Sequence, residues 1–223
     1  MRAKMKEKWI HLACLLAGVA AWNGAIAYGQ TDVAASIDGA VSGATQSGTP
    51  LSGEYSQSSS NSAGALLEMR HIHNSWVGFE AAYSYNRANQ TYTYIFPANA
   101  PTTPCPSSGC NSQPVTVVVS AYAQTITGDW VISRKKRNLQ YFALAGGGVL
   151  FVVPSSGQIY TSSATEFVFE CGLGLDWKFA SHFGLRLQDR VDIDSAPNLN
   201  TFSTVNGDLT YTQEPALGVY YRF

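Results

Sequence analysis

Apolar and polar residues alternate along most of the chain, and the alternation divides into eight runs. A period of two places successive side chains on opposite faces of a strand, so each run predicts a β-strand with one apolar face. The eight predicted strands are 32–43, 63–72, 76–87, 115–133, 139–153, 164–179, 183–191 and 210–223. The pattern therefore predicts an all-β fold.

The connections between these runs alternate strictly between short and long. The short ones are HNS (73–75), RKKRN (134–138) and ASH (180–182). The long ones are 44–62, 88–114, 154–163 and 192–208. This asymmetry predicts an eight-stranded antiparallel up-and-down transmembrane β-barrel, with short periplasmic turns and long extracellular loops.

Charged residues within the runs fall almost entirely on the face that lacks large aromatic residues. In 164–179, for example, Phe167 and Phe169 oppose Glu166 and Glu170. An Arg or Lys at mid-depth in lipid costs about 2–4 kcal/mol, so the apolar face is expected to point outward and the charges inward. The exception is Asp189, which this register points outward, either at headgroup level or beside a bulge.

Two further readings stay open at this point. The run 139–153 is apolar on both faces, so the alternation leaves its register undetermined. A soluble barrel or sandwich, with the apolar face inside, would show the same alternation. Large aromatic residues near the ends of the runs favour the membrane barrel, because they are typical of an interfacial girdle. They are Trp76, Trp130, Trp177 and Tyr221.

The first 27 residues have the order of a secretory signal peptide. A basic start, MRAKMKEK, precedes the apolar stretch WIHLACLLAGVAAW and the small-residue pair Ala25 and Ala27. The alternative, a retained membrane anchor, is disfavoured because the apolar stretch is short for a spanning helix. Residues 28–223 then form the barrel, with 10 Lys and Arg against 14 Asp and Glu, a mildly acidic balance that argues against nucleic acid as a partner.

The last predicted strand carries the most specific motif. Leu217, Val219, Tyr221 and Phe223 alternate and end in an aromatic residue. This pattern, with ITGDWVIS (126–133), ALAGGGVLF (143–151) and GLRLQDR (184–190), resembles the OmpA-type eight-stranded outer-membrane β-barrels over the whole of 28–223. The resemblance implies Sec-type export to the cell outer membrane and recognition of the last strand by the barrel-assembly machinery. It also implies outer-membrane lipids, including lipopolysaccharide, around the barrel.

The inward-facing charges predict a network in the lumen. An eight-stranded barrel is just wide enough for side chains to fill, so these charges must pair with one another or recruit water. We expect a plugged, charge-lined lumen; a narrow ion or small-solute path along the network is the alternative. The predicted network consists of Glu68, Arg70, Glu80, Asp129, Glu170, Asp176, Arg186, Arg190, Glu214 and Arg222.

The cysteines and histidines predict little chemistry beyond a disulfide. Cys105 and Cys110 flank PSSG in a Pro-rich loop of an oxidising compartment, so we expect them to pair, while Cys171 faces lipid. His71, His73 and His182 lie at the turn end, and we expect them to be solvated rather than to bind a metal. The basic turn 134–138 either contacts anionic headgroups or cell-wall polymer or is simply solvated.

The sequence favours a structural or surface-interaction role, through four long loops that meet an unidentified extracellular ligand. A catalytic site would need a nucleophile beside a positioned base, and no such group appears near the long loops. We therefore expect neither enzymatic activity nor a cofactor. The alternatives are a narrow channel and a lipid-modifying barrel enzyme.

Overall fold

The computed structural model describes residues 29–49, 53–74, 76–95, 115–155, 161–199 and 209–223. The predicted signal peptide (1–27) and the predicted disulfide partners Cys105 and Cys110 lie outside these residues. The described residues form ten strands: β1 (Gln30–Ser42), β2 (Thr45–Thr49), β3 (Gly53–Ser59), β4 (Ser62–Ile72), β5 (Val77–Ile95), β6 (Val115–Lys136), β7 (Leu139–Pro154), β8 (Ala164–Lys178), β9 (Phe183–Ser195) and β10 (Leu209–Arg222).

Eight of the strands close into an antiparallel barrel. The pairing runs from β1 through β4, β5, β6, β7, β8 and β9 to β10, which pairs back with β1. All eight predicted runs are barrel strands, so the predicted all-β, eight-stranded antiparallel barrel is confirmed. Closure pairs the backbone all round the ring, which a strand assembly in hydrocarbon requires. No helix in the described ranges is long and apolar enough to cross a membrane.

The outer end of the barrel contains more sheet than the sequence pattern predicts. Strands β2 and β3 form a hairpin within the predicted loop 44–62, and β3 pairs with the outer part of β5 from Gln90 to Ile95. Strand β5 therefore extends eight residues beyond its predicted end at position 87. The hairpin is rich in Ser, Gln and Thr and has no apolar alternation, so its pairing depends on the tertiary contact with β5.

The two faces of the barrel are inverted relative to a soluble protein. Large apolar side chains point outward and are exposed, including Ile37 (73%), Phe167 (72%) and Trp130 (67%), while Arg70 and Arg186 are fully buried. An outward apolar surface of this extent suits hydrocarbon and not water. The prediction of outward apolar side chains and enclosed charges is confirmed.

The structure also settles the two open registers. In β7 the buried residues Gln140, Phe142 and Leu144 point inward, while Tyr141 is exposed on the outer face. Asp189 is exposed and points outward in an unbroken ladder between Leu173 and Pro215, so no bulge is present.

Candidate functional site in the barrel lumen

Alternation along the strands brings the predicted charged residues together inside the barrel. Even-numbered residues of β4, β5, β8, β9 and β10 and odd-numbered residues of β6 point inward. All ten predicted network residues are buried: Glu68, Arg70, Glu80, Asp129, Glu170, Asp176, Arg186, Arg190, Glu214 and Arg222. The same alternation points four further charges inward: Asp38 and Asp192 are buried, whereas Glu166 and Lys178 are only half-buried.

Arg186 lies at the centre of the periplasmic half of this network. Its Nε donates to Asp176 Oδ1 at 2.8 Å, and one terminal nitrogen donates to Asp32 Oδ1, also at 2.8 Å. The other terminal nitrogen lies 3.4 Å from Glu68 Oε1. Glu80 of β5 lies 3.7 Å away as a fourth carboxylate, so this fully buried cation links β1, β4, β5 and β8.

Two aromatic rings complete this layer. The guanidinium carbon of Arg70 lies 3.8 Å from the ring centroid of Phe142, and Arg70 Nε donates to Glu80 Oε2 at 2.5 Å. The ring of Tyr220 lies 5.5 Å from the guanidinium of Arg186 and 4.9 Å from that of Arg222. Cation–π contacts of this kind stabilise a desolvated guanidinium beyond its ion pairs.

Arg190 links the periplasmic layer to the next layer outward. Its guanidinium donates to Glu68 Oε1 at 2.8 Å and also to Glu80 and Glu170. Arg222 contacts Asp32 Oδ2 at 3.4 Å and Gln140 Oε1 at 3.1 Å. Side chains of four different strands therefore meet across the lumen at Arg190 and its partners.

The sequence prediction omitted Asp32 from the network. Asp32 is buried and pairs with both Arg186 and Arg222. It lies at an even position of β1, as Asp38 does, so the alternation alone could have identified it.

The outer half of the lumen has a different charge balance. Five buried acids take part in no ion pair with any residue that the structure describes: Asp38, Asp129, Asp192, Asp194 and Glu214. Asp192 hydrogen-bonds the carboxyl group of Glu170, and the partners of Asp38, Asp129 and Glu214 are neutral side chains. Asn86 Nδ2 donates to Asp38 Oδ2 and to Glu214 Oε1, each at 3.1 Å, and Thr127 donates to Asp129 at 3.0 Å.

A segment that follows β9 folds into the outer mouth of the barrel. The side chain of Leu199 is fully buried in a cluster with Tyr92, Val119 and Val152. The Tyr92 hydroxyl donates to the Pro197 carbonyl at 3.0 Å and accepts from the Leu199 amide at 3.1 Å. Tyr92 lies beyond the apolar belt, and burial raises its pKa to about 12, so the hydroxyl stays neutral and keeps both bonds. The sequence pattern had placed 192–208 in a loop.

Comparison with solved structures identifies the fold. The crystal structure of Neisserial surface protein A matches with a TM-score of 0.53 and 14% identity, over 86% of this chain and 97% of that one. The crystal structure of Ail, the attachment invasion locus protein of Yersinia pestis, in complex with the heparin analogue sucrose octasulfate, matches with a TM-score of 0.50 and 16% identity, over 88% of this chain and 99% of that one. The chain folds as an eight-stranded outer-membrane β-barrel. No family model and no curated protein sequence matches it.

The predicted assembly residues lie on the outer face of the barrel. Leu217, Val219, Tyr221 and Phe223 are all exposed. The ring of Tyr221 contacts Phe183 and Phe223 edge-on, with centroids 5.1 Å apart in each pair. The Phe223 amide donates to the Thr31 carbonyl at 3.0 Å, so the last residue is held against β1 at the closing seam. The proposed recognition by the assembly machinery stays a prediction.

The histidines at the turn end contact their neighbours. His71 Nδ1 lies 2.9 Å from Thr31 Oγ1, and His182 Nδ1 lies 2.9 Å from the Arg222 carbonyl. Within the described ranges no group of three or more His, Cys, Asp or Glu side chains has the arrangement of a metal site. Cys171 is a free thiol.

Proposed function

We propose that the protein is an integral outer-membrane barrel that does not conduct and that presents a hydrogen-bonding surface without Lys or Arg to a partner outside the cell. The observation that carries the proposal is the sheet formed by β2, β3 and the outer parts of β5 and β6, which rises beyond the apolar belt. We call this sheet the outer platform.

The outer platform is polar on its outward face. Ser120 donates to Asn89 Oδ1 at 2.7 Å, and the hydroxyls of Thr93 and Thr116 lie 3.4 Å apart. Val115, Val117 and Val118 are exposed in the same part of β6. A rigid strand surface that mixes hydroxyls, amides and small apolar groups offers hydrogen bonds and contact area to a partner at little cost in conformational entropy.

The edges of the outer platform support the same role. Strand β2 pairs only with β3, and the part of β6 from Val115 to Val119 pairs only with β5 among the strands that the structure describes. Each edge therefore presents backbone groups that a partner strand could pair with.

Charge limits what the partner can be. The four long connections 44–62, 88–114, 154–163 and 192–208 contain no Lys, Arg or His. Ail was solved with a heparin analogue, and polysulfated ligands are usually bound through Arg and Lys. This chain offers no such cations in its long connections, so we propose a neutral or cationic partner.

A binding assay tests the surface role. The barrel in nanodiscs is applied to arrays of neutral glycans and matrix proteins, beside a variant that lacks 96–114 and the double variant Thr93→Ala/Thr116→Ala. Both variants are expected to bind at least tenfold more weakly than wild type. The matched control is Lys135→Ala/Lys136→Ala in the opposite turn, which should bind as wild type does. Equal binding by all four proteins would contradict the proposal.

The closed lumen has its own test. The networks of Arg186 and Arg190, together with Leu199 at the mouth, support a lumen without a continuous water path. Planar bilayers are expected to show no unitary conductance with wild-type protein, whereas Arg186→Ala/Arg190→Ala should admit water and raise current noise. Reproducible wild-type channels would favour the narrow channel instead. A lipid-modifying activity would change the mass of lipid A, and we expect no change.

A further inference from the structure

We propose that the outer half of the lumen binds a small cation, with Ca²⁺ the best match. The site is a cavity of about 70 Å³ between the network of Arg190 and the segment that carries Pro197. Asp192, Asp194 and Glu214 line it from β9 and β10, and Gln57 and Asn86 line it from β3 and β5. This inference goes beyond the proposed surface role and does not depend on it.

Unpartnered oxygens on three residues that line this cavity point to an electropositive guest. Asp192 Oδ1, Asn86 Oδ1 and Gln57 Oε1 have no hydrogen-bond partner among the described residues. Each of the three residues is at least 95% buried, and each lines the cavity. All three atoms are acceptors, and a buried acceptor without a partner costs about 1–3 kcal/mol. A cation satisfies several such acceptors at once.

Among the described residues, no Lys or Arg forms an ion pair with Asp192, Asp194 or Glu214, although Arg190 attracts Asp192 and Glu214 at longer range. The described ion pairs of Arg70, Arg186, Arg190 and Arg222 go to Asp32, Glu68, Glu80, Glu170 and Asp176. Arg87, the basic residue closest in sequence to the outer end of β5, is exposed, with its guanidinium 5.4 Å from the ring centroid of Tyr122. The long connections contain no Lys, Arg or His, so they supply no further cationic partner for the outer carboxylates.

The donor set and the space favour Ca²⁺. Carboxylate and amide oxygens are hard ligands, and both Ca²⁺ and Mg²⁺ prefer them. A water takes about 30 Å³, so the cavity has room for a cation with one or two waters. Mg²⁺ usually keeps several waters, whereas Ca²⁺ accepts irregular oxygen ligands. No three acidic side chains in the described part of the chain converge as a ready metal cage, so amide oxygens and water must complete the coordination.

The site would connect the cation to the inserted segment at the outer mouth. Gln57 Nε2 donates to the Pro197 carbonyl at 3.0 Å, while Gln57 Oε1 has no hydrogen-bond partner among the described residues. A cation held by Gln57, Asn86 and Asp192 would link β3, β5 and β9 beneath the inserted segment. Its binding should therefore stabilise the outer end of the barrel specifically.

Equilibrium dialysis with radioactive Ca²⁺ tests the proposal. The full barrel is refolded in zwitterionic detergent without lipopolysaccharide, since lipopolysaccharide binds divalent cations itself. Wild type is expected to bind about one Ca²⁺ per chain at millimolar concentration or below, the range of extracellular Ca²⁺ modules, and more tightly than Mg²⁺. Asp192→Asn/Glu214→Gln should bind at least tenfold more weakly. The matched control Asp189→Asn, which neutralises an outward carboxylate of the same strand, should bind as wild type does.

A second readout separates cation binding from a purely structural role. In cation-free buffer the Asp192→Asn/Glu214→Gln variant is expected to resist urea better than wild type, because like charges are removed. Added Ca²⁺ should raise the urea midpoint of wild type and of Asp189→Asn but leave the double variant unchanged. Absence of saturable Ca²⁺ binding in wild type overturns the proposal, as does equal binding by the double variant.

Discussion

Arg186 shows how a single residue organises the lumen. It is fully buried and contacts carboxylates of Asp32, Asp176 and Glu68. A buried ion pair contributes little net stability against an apolar replacement of the whole group, but the loss of one partner leaves an uncompensated buried charge. The network is therefore most sensitive to the removal of one member.

Substitution of Arg186 should destabilise the barrel strongly. We expect Arg186→Met to lower the free energy of unfolding by about 3–5 kcal/mol, because the carboxylates around it lose their shared cation. Urea unfolding in bilayers, followed by tryptophan fluorescence, measures this. Arg134→Met, at an exposed residue of β6, is the control and should change stability by less than about 0.5 kcal/mol. A comparable loss in both variants would mean that the network is not the cause.

Asp189 is the exception on the outer face. It is exposed beside Leu173 and Pro215, and Gln213 Nε2 donates to it at 2.8 Å. We expect Asp189→Leu to stabilise the barrel in bilayers by about 1 kcal/mol, since a carboxylate facing lipid costs less than the 2–4 kcal/mol of Arg or Lys. Asp32→Leu, inside the lumen, should instead destabilise it. Stability that falls with Asp189→Leu would show that the hydrogen bond from Gln213 outweighs the cost of placing the carboxylate against lipid.

The alternation predicted the inward charges because the residues before and after each charge along the strand are mostly apolar and therefore face outward. The alternation did not predict which residues of β7 face inward, because Gly146, Gly147 and Gly148 interrupt the pattern. Those glycines reflect close strand contact: a Cβ at Gly148 would lie 1.9 Å from the Ile126 carbonyl oxygen. The register of β7 is therefore set by its pairing with β6 and β8, and the sequence of β7 alone does not determine it.

At the scale of elements, the predictable strands are those that carry an apolar belt. The outer part of β5 and the hairpin β2–β3 were missed because Ser, Thr and Gln also form loops, and only mutual pairing makes them strands. The inserted segment was missed for a related reason. Leu199 is buried by Tyr92 and Val119 of two distant strands, and no local periodicity marks such a contact.

The terminal strand β10 gives a prediction at this scale. Deletion of Phe223 removes a backbone bond to Thr31 and an aromatic contact with Tyr221. We expect slower insertion by the assembly machinery. In pulse-chase experiments, unfolded protein, whose gel migration does not change on boiling, should accumulate. Phe223→Trp should assemble normally, because it keeps a terminal aromatic ring. Normal assembly of the deletion variant would show that the assembly machinery does not recognise the last strand through Phe223.

For the whole molecule, the decisive feature is the inversion of its two faces. In β9, Leu185, Leu187, Val191 and Ile193 point outward, while Arg186, Gln188 and Arg190 are enclosed. The ion-pair network, the proposed cation cavity and the outer platform all depend on this orientation. Each requires that one face of the strands points into the lumen and the other face points into lipid.

A nitroxide scan along β9 in lipid bilayers tests this orientation most directly. Single labels are placed at positions 184–193 in a variant without native cysteines, and their collision rates are measured with oxygen and with a water-soluble nickel chelate. The odd positions should be accessible to oxygen but not to nickel, as expected in hydrocarbon, and the even positions should be protected from both. Protected odd positions beside nickel-accessible even positions would show an apolar interior and contradict the account.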